Sequence, residues 1–376
     1  MKILQICSVP VTYPGGSEKV VLETSKELSK NHEVTILQTN LYREDKKFEE
    51  YSRVGKIKII TCKNDQFLGG YGNSKEFKKT LVKIWREYDV VHITGYGRFT
   101  SNFSLKYLYG KKPIIFSAHG FFHDKKHRTF KKIHEVLFKR LLKKSGICIA
   151  LTGSDKEQFI SRGVNKDHIE VIPAGIHLKK INKKNIGSLR KKYLGKDFEK
   201  KAMLYVGRIH KSKGLQYVVK AIKDLDLMFL IAGKDAGFKE ELEKIIRKEY
   251  VENKIKFLGR VSDEELENLY SLSDFFILFS SWESFGIVVV EAMNTKKPVI
   301  VSDRGSLPEL VKEGKTGFII EYPNIKELGK KIKILIDNEK LRKTMGKNAQ
   351  EFSKQFNWEN IAKKYERLYK KVIEDF

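Results

Sequence analysis

The chain has 376 residues, 41% hydrophobic and 32% charged, with 74 Lys and Arg against 47 Asp and Glu for a net charge of +27. It is too long for one ordinary domain and too apolar for a disordered chain, so two domains of roughly 150–200 residues are expected. Three scattered cysteines (Cys7, Cys62, Cys148) without a CxxC pair argue against a disulfide scaffold or thiolate zinc site and fit a reducing cytosol; the cationic excess favours polyanionic partners such as nucleic acid, anionic lipid or phosphorylated substrates.

In chain order, residues 2–8 (KILQICS) form a short apolar run closed by Pro10, Pro14, Gly15 and Gly16, which predicts a buried strand. A helix follows over residues 17–30, with Val20, Val21, Thr24 and Leu28 at helical spacing, and then a strand in HEVTILQ. The alternation recurs through KIKII, a helix at 77–85, DVVHIT, a helix near 102–109, PIIFSAH, a long basic helix, GICIALT and IEVIPAG. Residues 179–201 are charged and hold two glycines, so a break is placed there. From Ala202 the pattern restarts: AMLYVG, LMFLIAG, KIKFLG, DFFILF, PVIVS and GFII read as strands with helices between, and three helical segments close the chain. This alternation predicts an α/β fold: two Rossmann-like, doubly wound domains facing a central cleft. The expected domains are 1–180 and 181–356, with a C-terminal helix over 357–376 packing back on the first.

No segment reaches the ~20 apolar residues needed to span a bilayer. The best stretch, residues 275–290, is broken by Ser280, Ser281, Glu283 and Ser284. The N-terminal run contains Gln5 and stops at Pro10, unlike a signal peptide. The expectation is a cytoplasmic protein, or one lying on a membrane from that side.

Four stretches carry chemistry. In SSWESFGIVVVEAM (280–293), Glu283 and Glu291 straddle a turn made by Ser284, Phe285 and Gly286 that enters a helix. First-turn amides can hold a phosphate, and Glu291 inside the helix can meet a vicinal diol such as a ribose. In YVGRIHKSKGL (205–215), Arg208 and Lys213 follow a strand, where two cations can neutralise a diphosphate. In PGGSEKVV (14–21), Gly15 and Gly16 make an anion-friendly turn. It is not GxGxxG, and Glu309 stands where the leading glycine of a P-loop ending in Gly314-Lys315-Thr316 belongs, so nicotinamide enzymes and P-loop ATPases lose support. In FSAHG (116–120), His119 ends a strand and can hydrogen-bond a hydroxyl. His119, His123 and His127 are spaced four apart, but Gly120 interrupts the helix that a metal face would need. Taken singly, each stretch also reads as ordinary structure.

Together and in this order, these elements resemble the retaining GT-B glycosyltransferases of family 4, whose paired glutamates form the EX7E motif. The resemblance covers nearly the whole chain, through Gly15-Gly16, His119-Gly120, Gly207-Arg208 with Lys213, Gly259 with Val261, Glu283 to Glu291, IVSDRGSLPELV (300–311) and KTGFII (315–320). Two stretches depart from the family pattern: Ala174-Gly175-Ile176-His177, and Gly233-Lys234-Asp235-Ala236-Gly237.

The resemblance implies an acceptor-binding first domain and a second domain holding a nucleoside-diphosphate sugar. It implies that Arg208 and Lys213 bind the diphosphate, aided by backbone at Gly16, Gly286 and Ile287. It places Glu291 on the ribose, Val261 by the base, and Glu283 and His119 on the transferred sugar as catalytic residues. Gly15, Ser284, Phe285, Gly305, Ser306 and Leu307 line the donor pocket. It also implies a retaining transfer of a hexose or N-acetylhexosamine to a glycan or lipid-linked acceptor, with no cofactor and no metal.

Residues 106–144 hold twelve Lys and Arg against two acids. The segment TFKKIHEVLFKRLLKK within it places Phe130, Ile133, Leu137 and Leu141 on one face and Lys132, Lys139 and Lys143 around the other. Such a helix serves either as a contact with an anionic membrane surface or as a solvated face in a Lys-rich protein, and both readings stand. The competing functions are a nucleotide-sugar epimerase or glycan phosphorylase of the same architecture, for which the sequence carries no separate signal, and a nucleic-acid binder, which leaves Glu283 and Glu291 unexplained.

Overall fold

A computed structural model describes residues 1–13, 15–41, 52–68, 71–121, 138–143, 145–178 and 186–376. They divide into two compact units, Met1–Gly175 with Trp358–Phe376, and Ile176–Asn357. The breaks therefore lie at 175/176 and 357/358, beside the expected 180/181 and 356/357.

The first unit holds β1 (Lys2–Ile6), β2 (Glu33–Thr39), β3 (Arg53–Val54), β4 (Ile57–Cys62), a hairpin of β5 (Gln66–Leu68) and β6 (Tyr71–Asn73), β7 (Val90–Thr94), β8 (Ile114–Ser117), β9 (Ile147–Ala150) and β10 (Ile169–Val171). Among the described residues the sheet order is β10-β9-β8-β7-β1-β2-β4-β3, parallel except for the β3–β4 edge. Neither β3 nor the β5–β6 hairpin was expected, because two- and three-residue strands carry too few positions to show a period. Helices Gly16–Leu28, Lys75–Ile84, Phe99–Leu108 and Gly153–Ile160 make the crossovers described here.

The C-terminal helix Trp358–Glu374 packs on helix Gly16–Leu28 and on β7 and β8. Trp358, Ile361, Tyr365 and Tyr369 are buried at helical spacing on its inner face. Gly175 leaves room for that packing, since a Cβ there would stand 2.4 Å from the Trp358 ring. A polar chain crosses the same interface: Gln5 donates to the Tyr369 hydroxyl (3.0 Å), which pairs with His92 Nδ1 (2.7 Å), and His92 Nε2 pairs with the Ser117 hydroxyl (2.7 Å). Gln5 and His92 are register partners on β1 and β7, so one face of neighbouring strands presents both to the helix.

The second unit holds β11 (Ala202–Val206), β12 (Met228–Ala232), β13 (Ile255–Gly259), β14 (Phe275–Leu278), β15 (Val299–Ser302) and β16 (Gly317–Ile320), ordered β13-β12-β11-β14-β15-β16 and parallel throughout. Sheets covered on both faces use continuous apolar strands, and all four residues of β14 (FFIL) are at most 2% exposed.

The charged break expected at 179–201 needs correction from Ile186 onward. Residues Ile186–Leu194 form a helix of the second unit. The Arg190 guanidinium anchors it, donating to the carbonyls of Phe198 (2.8 Å), Lys200 and Leu272 (2.7 Å) and to the Asp274 carboxylate (3.2 Å). One half-buried fork of donors thus recruits a segment whose composition resembles a linker. Among the described residues no helix is long and apolar enough to cross a membrane.

Candidate functional site

In the second sheet β11 and β14 are neighbours although β12 and β13 lie between them in sequence. Strand order reverses there, and doubly wound sheets bind ligands beyond the carboxyl ends at such a point. Gly207-Arg208 leave from β11, and the 280–286 turn leaves from β14. Lys213 does not start a helix: it closes a 3-10 turn, Lys211–Lys213, and the helix begins at Leu215. The Ser281 amide and hydroxyl both donate to the Ser212 carbonyl (2.7 and 3.1 Å), tying the two loops together.

These ties bring Lys213 Nζ to 2.5 Å from Glu283 Oε1, with both side chains 16% exposed. The buried Ser280 hydroxyl donates to the same oxygen (2.7 Å). Arg208 is exposed, and its carbonyl accepts from the Tyr205 hydroxyl (2.8 Å). Burial raises the Tyr205 pKa well above its ordinary value; the Glu283 charge raises it further and Arg208 opposes, so both charges act on one phenol.

Gly286 caps helix Ile287–Asn294 with φ +96°, and a Cβ there would approach Leu307 to 2.9 Å. The Val289 amide donates to the Gly286 carbonyl (2.9 Å), and the Ile287 and Val288 amides precede any intrahelical acceptor. Gly305 has φ +62°, and a Cβ on it would stand 2.3 Å from the Glu283 carbonyl oxygen. Through that close approach the Ser306 amide donates to the Glu283 carbonyl (3.0 Å) and the Ser306 hydroxyl to the Ser284 carbonyl (2.8 Å). Leu307 is buried, and the Phe285 ring is buried edge-on against Phe356 at 5.9 Å, which anchors the turn.

Glu291 lies in the second turn of the helix and accepts from the Tyr270 hydroxyl (3.0 Å), which also lies 3.3 Å from the Val288 carbonyl. Burial first, and then the Glu291 charge, hold the Tyr270 pKa well above its ordinary value, so the phenol stays a neutral donor. Val261 follows β13, two strands from β11 at the same edge, and is half-buried.

In the first unit Gly15 caps helix Gly16–Leu28, and the Glu18 carboxylate folds back over that start. Ser17 donates to Glu18 Oε2 (2.8 Å), which would lie 2.0 Å from a Cβ at Gly15. A carboxylate of the chain itself thus covers the positive end of the helix. His119 has φ +51°, a backbone region that favours glycine, and its Nδ1 is buried with no hydrogen-bond partner among the described residues. Burial lowers its pKa to about 4, and lowers that of His92 to about 3 with the nearby His119 contributing, so both imidazoles are neutral at pH 7. His123 and His127 lie outside the described residues, as does most of the basic segment at 122–137 and Lys144.

The structure therefore gathers Lys213, Glu283, Arg208, Gly286, Ile287 and the 305–307 loop at one sheet edge, and places Gly15, Gly16 and His119 in the other unit. Sequence reasoning missed Ser280, Tyr270 and Tyr205. Ser280 stands three positions before Glu283 and could have been found as its local partner, whereas a tyrosine that meets Glu291 from twenty-one positions away leaves no periodic or spacing signal.

Comparisons with known proteins agree with this arrangement. A family model described as glycosyl transferases group 1 matches residues 189–352, and one described as glycosyltransferase family 4 matches residues 14–180. The glycosyltransferase MJ1178 of Methanocaldococcus jannaschii is 38% identical over 40% of this chain and 43% of its own length. MJ1069, a glycosyltransferase of the same organism, is 28% identical over 96% of both chains. The crystal structure of Anabaena Alr3699/HepE in complex with UDP-glucose has a TM-score of 0.81 at 23% identity, over 99% of this chain and 100% of that one, which shows a shared fold. With one family model on each parallel-sheet unit, the chain belongs to the group 1 glycosyltransferases of the GT-B fold.

Proposed function

We propose that this glycosyltransferase moves a hexose or N-acetylhexosamine from a nucleoside-diphosphate sugar to a glycan or lipid-linked acceptor, with retention at the anomeric carbon and without a metal ion. The observation that carries the reading is the meeting of Lys213 with Glu283 at the switch point of the second sheet, beside a helix start without a side-chain cap. A diphosphate there meets the Lys213 ammonium, the Arg208 guanidinium and the amides at Gly286 and Ile287. These groups supply the charge neutralisation for which other transferases use a divalent ion. Glu291, oriented by Tyr270, takes the ribose hydroxyls. Val261 supports the base, and the Gly305–Leu307 loop with Ser284 and Phe285 borders the sugar. The donor class follows the UDP-glucose named for the Anabaena protein.

Breaking the anomeric C–O bond leaves the electron pair on the diphosphate and an oxocarbenium-like sugar. Preorganised cations and amides stabilise the leaving group, and the loss of one such donor typically costs ~10²–10³ in rate. The Glu283 carboxylate binds sugar hydroxyls. The acceptor oxygen attacks from the face the diphosphate leaves, and a diphosphate oxygen takes its proton. The cation-rich segment 106–144 draws the first unit towards an anionic membrane at the cytoplasmic face, which cosedimentation with phosphatidylglycerol but not phosphatidylcholine vesicles tests.

The test is a thermal-shift and turnover panel of nucleotide sugars. A true donor at about 100 times its Kd adds ~2.7 kcal/mol to stability. Glu283→Gln abolishes transfer while nucleoside diphosphate still binds, and EDTA leaves turnover unchanged. The reading fails if no nucleoside diphosphate sugar binds or turns over.

A further inference from the structure

We infer that Ser280 is a positioning residue: it holds the Glu283 carboxylate in its working orientation while Lys213 serves the donor's diphosphate. The inference rests on the functional reading above. The Lys213 ammonium (2.5 Å) and the Ser280 hydroxyl (2.7 Å) meet the same oxygen, Oε1. The other oxygen, Oε2, has no hydrogen bond among the described residues. A lysine is a point charge on a flexible stem, and an incoming diphosphate carries more charge than one carboxylate. The ammonium is therefore shared with the diphosphate when donor binds, and the carboxylate loses part of its anchor when its direction matters most.

Ser280 can hold that direction alone because everything around it is pinned. The residue is fully buried. Its carbonyl accepts from the Ser302 hydroxyl (2.6 Å) at the end of β15, and the next amide donates to Ser212 (2.7 Å). The Glu283 carbonyl is held by the Ser306 amide (3.0 Å). With both ends of the turn fixed, the Ser280 hydroxyl holds Oε1 (2.7 Å) and leaves Oε2 for the sugar. A buried hydroxyl with a single proton cannot follow the diphosphate, which separates its role from that of Lys213.

The test uses the full chain with Ser280→Ala, a variant that deletes one oxygen. The probes are UDP, GDP and ADP and their glucose conjugates, continuing with the pair that binds wild type best. Expected are an unchanged Kd for the bare nucleotide, within about twofold, and a loss of most of the extra affinity given by the sugar. Turnover falls about tenfold, the size expected for one hydrogen bond to a charged group, and KM for the nucleotide sugar rises with its Kd towards the value set by the bare nucleotide. In a Glu283→Gln background, Ser280→Ala causes no further loss of that sugar-dependent affinity.

Three outcomes overturn the inference: equal losses for bare nucleotide and nucleotide sugar, an undiminished Ser280→Ala effect in the Glu283→Gln background, or wild-type behaviour of Ser280→Ala. If none of the probes binds wild type, the functional reading itself falls, a result distinct from all three.

Discussion

Replacing Lys213 by Met removes the ammonium, keeps most of the stem and leaves the Glu283 carboxylate facing only Ser280. At 2.5 Å and an effective dielectric constant of about 20, Coulomb's law gives ~7 kcal/mol of gross attraction. Desolvation opposes this by several kcal/mol per ion, and truncating one partner of a fully buried pair costs ~3–5 kcal/mol. Both side chains keep 16% of their exposure, so Lys213→Met is placed lower, at about 2–4 kcal/mol. For a unit of this size, each kcal/mol moves Tm by roughly 2–4 °C, and the transition of the second unit should drop by about 5–10 °C. Glu283→Gln added to Lys213→Met removes the stranded charge and should recover about half of that loss. Differential scanning calorimetry of the four proteins, at low and at 0.5 M salt, reads both the shift and the coupling; an enclosed pair changes little with salt. A Lys213→Met shift below about 2 °C, or a double variant as unstable as the two singles summed, would refute the claim that these groups form an energetically coupled pair.

Three further outcomes are expected. Gly305→Ala must either leave φ +62° or push on the Glu283 carbonyl; it should lower stability by about 1–3 kcal/mol and cut turnover more than nucleotide binding, and unaltered turnover would contradict the clamp. Tyr270→Phe deletes the donor to Glu291 and should raise KM for the nucleotide sugar about tenfold with kcat within twofold, while an effect confined to kcat would count against a ribose role. His92 and His119 titrate at about 3 and about 4 in the folded chain against an ordinary 6.5, so the unfolded chain binds more protons between those values. Their contribution to stability is whole above about pH 6.5 and is lost as pH falls, by up to about 1.4 kcal/mol per pH unit for each ring. Urea unfolding across pH 4–7 should show a flatter slope for His92→Gln than for wild type; equal slopes would mean that His92 is not held neutral.

Much was legible in the amino acids themselves. Continuous apolar runs such as FFILF and AMLYV mark strands covered on both faces, and their alternation with helical spacing determines two parallel α/β sheets. The GG turn, the GR…K stretch and the glutamates at positions 283 and 291 follow strands, so local order alone places them at carboxyl edges. Both signals are short-range: they need only the period of an element and the residue that ends it.

Other features depend on residues far apart in the chain. Arg190 turns an apparent linker into a helix only because Leu272 and Asp274 wait more than eighty positions later. The C-terminal helix joins the first unit through Tyr369 and a polar chain reaching back to Gln5 and His92. The 305–307 loop clamps Glu283 because Gly305 alone permits the backbone contact. Tyr270 orients Glu291 from twenty-one positions away. Periodicity and strand-end chemistry thus decided which elements form and which residues crowd their ends. Close packing decided which oxygen each proton meets, because a hydrogen bond between distant residues is set by geometry to a few tenths of an ångström and not by their order in the chain.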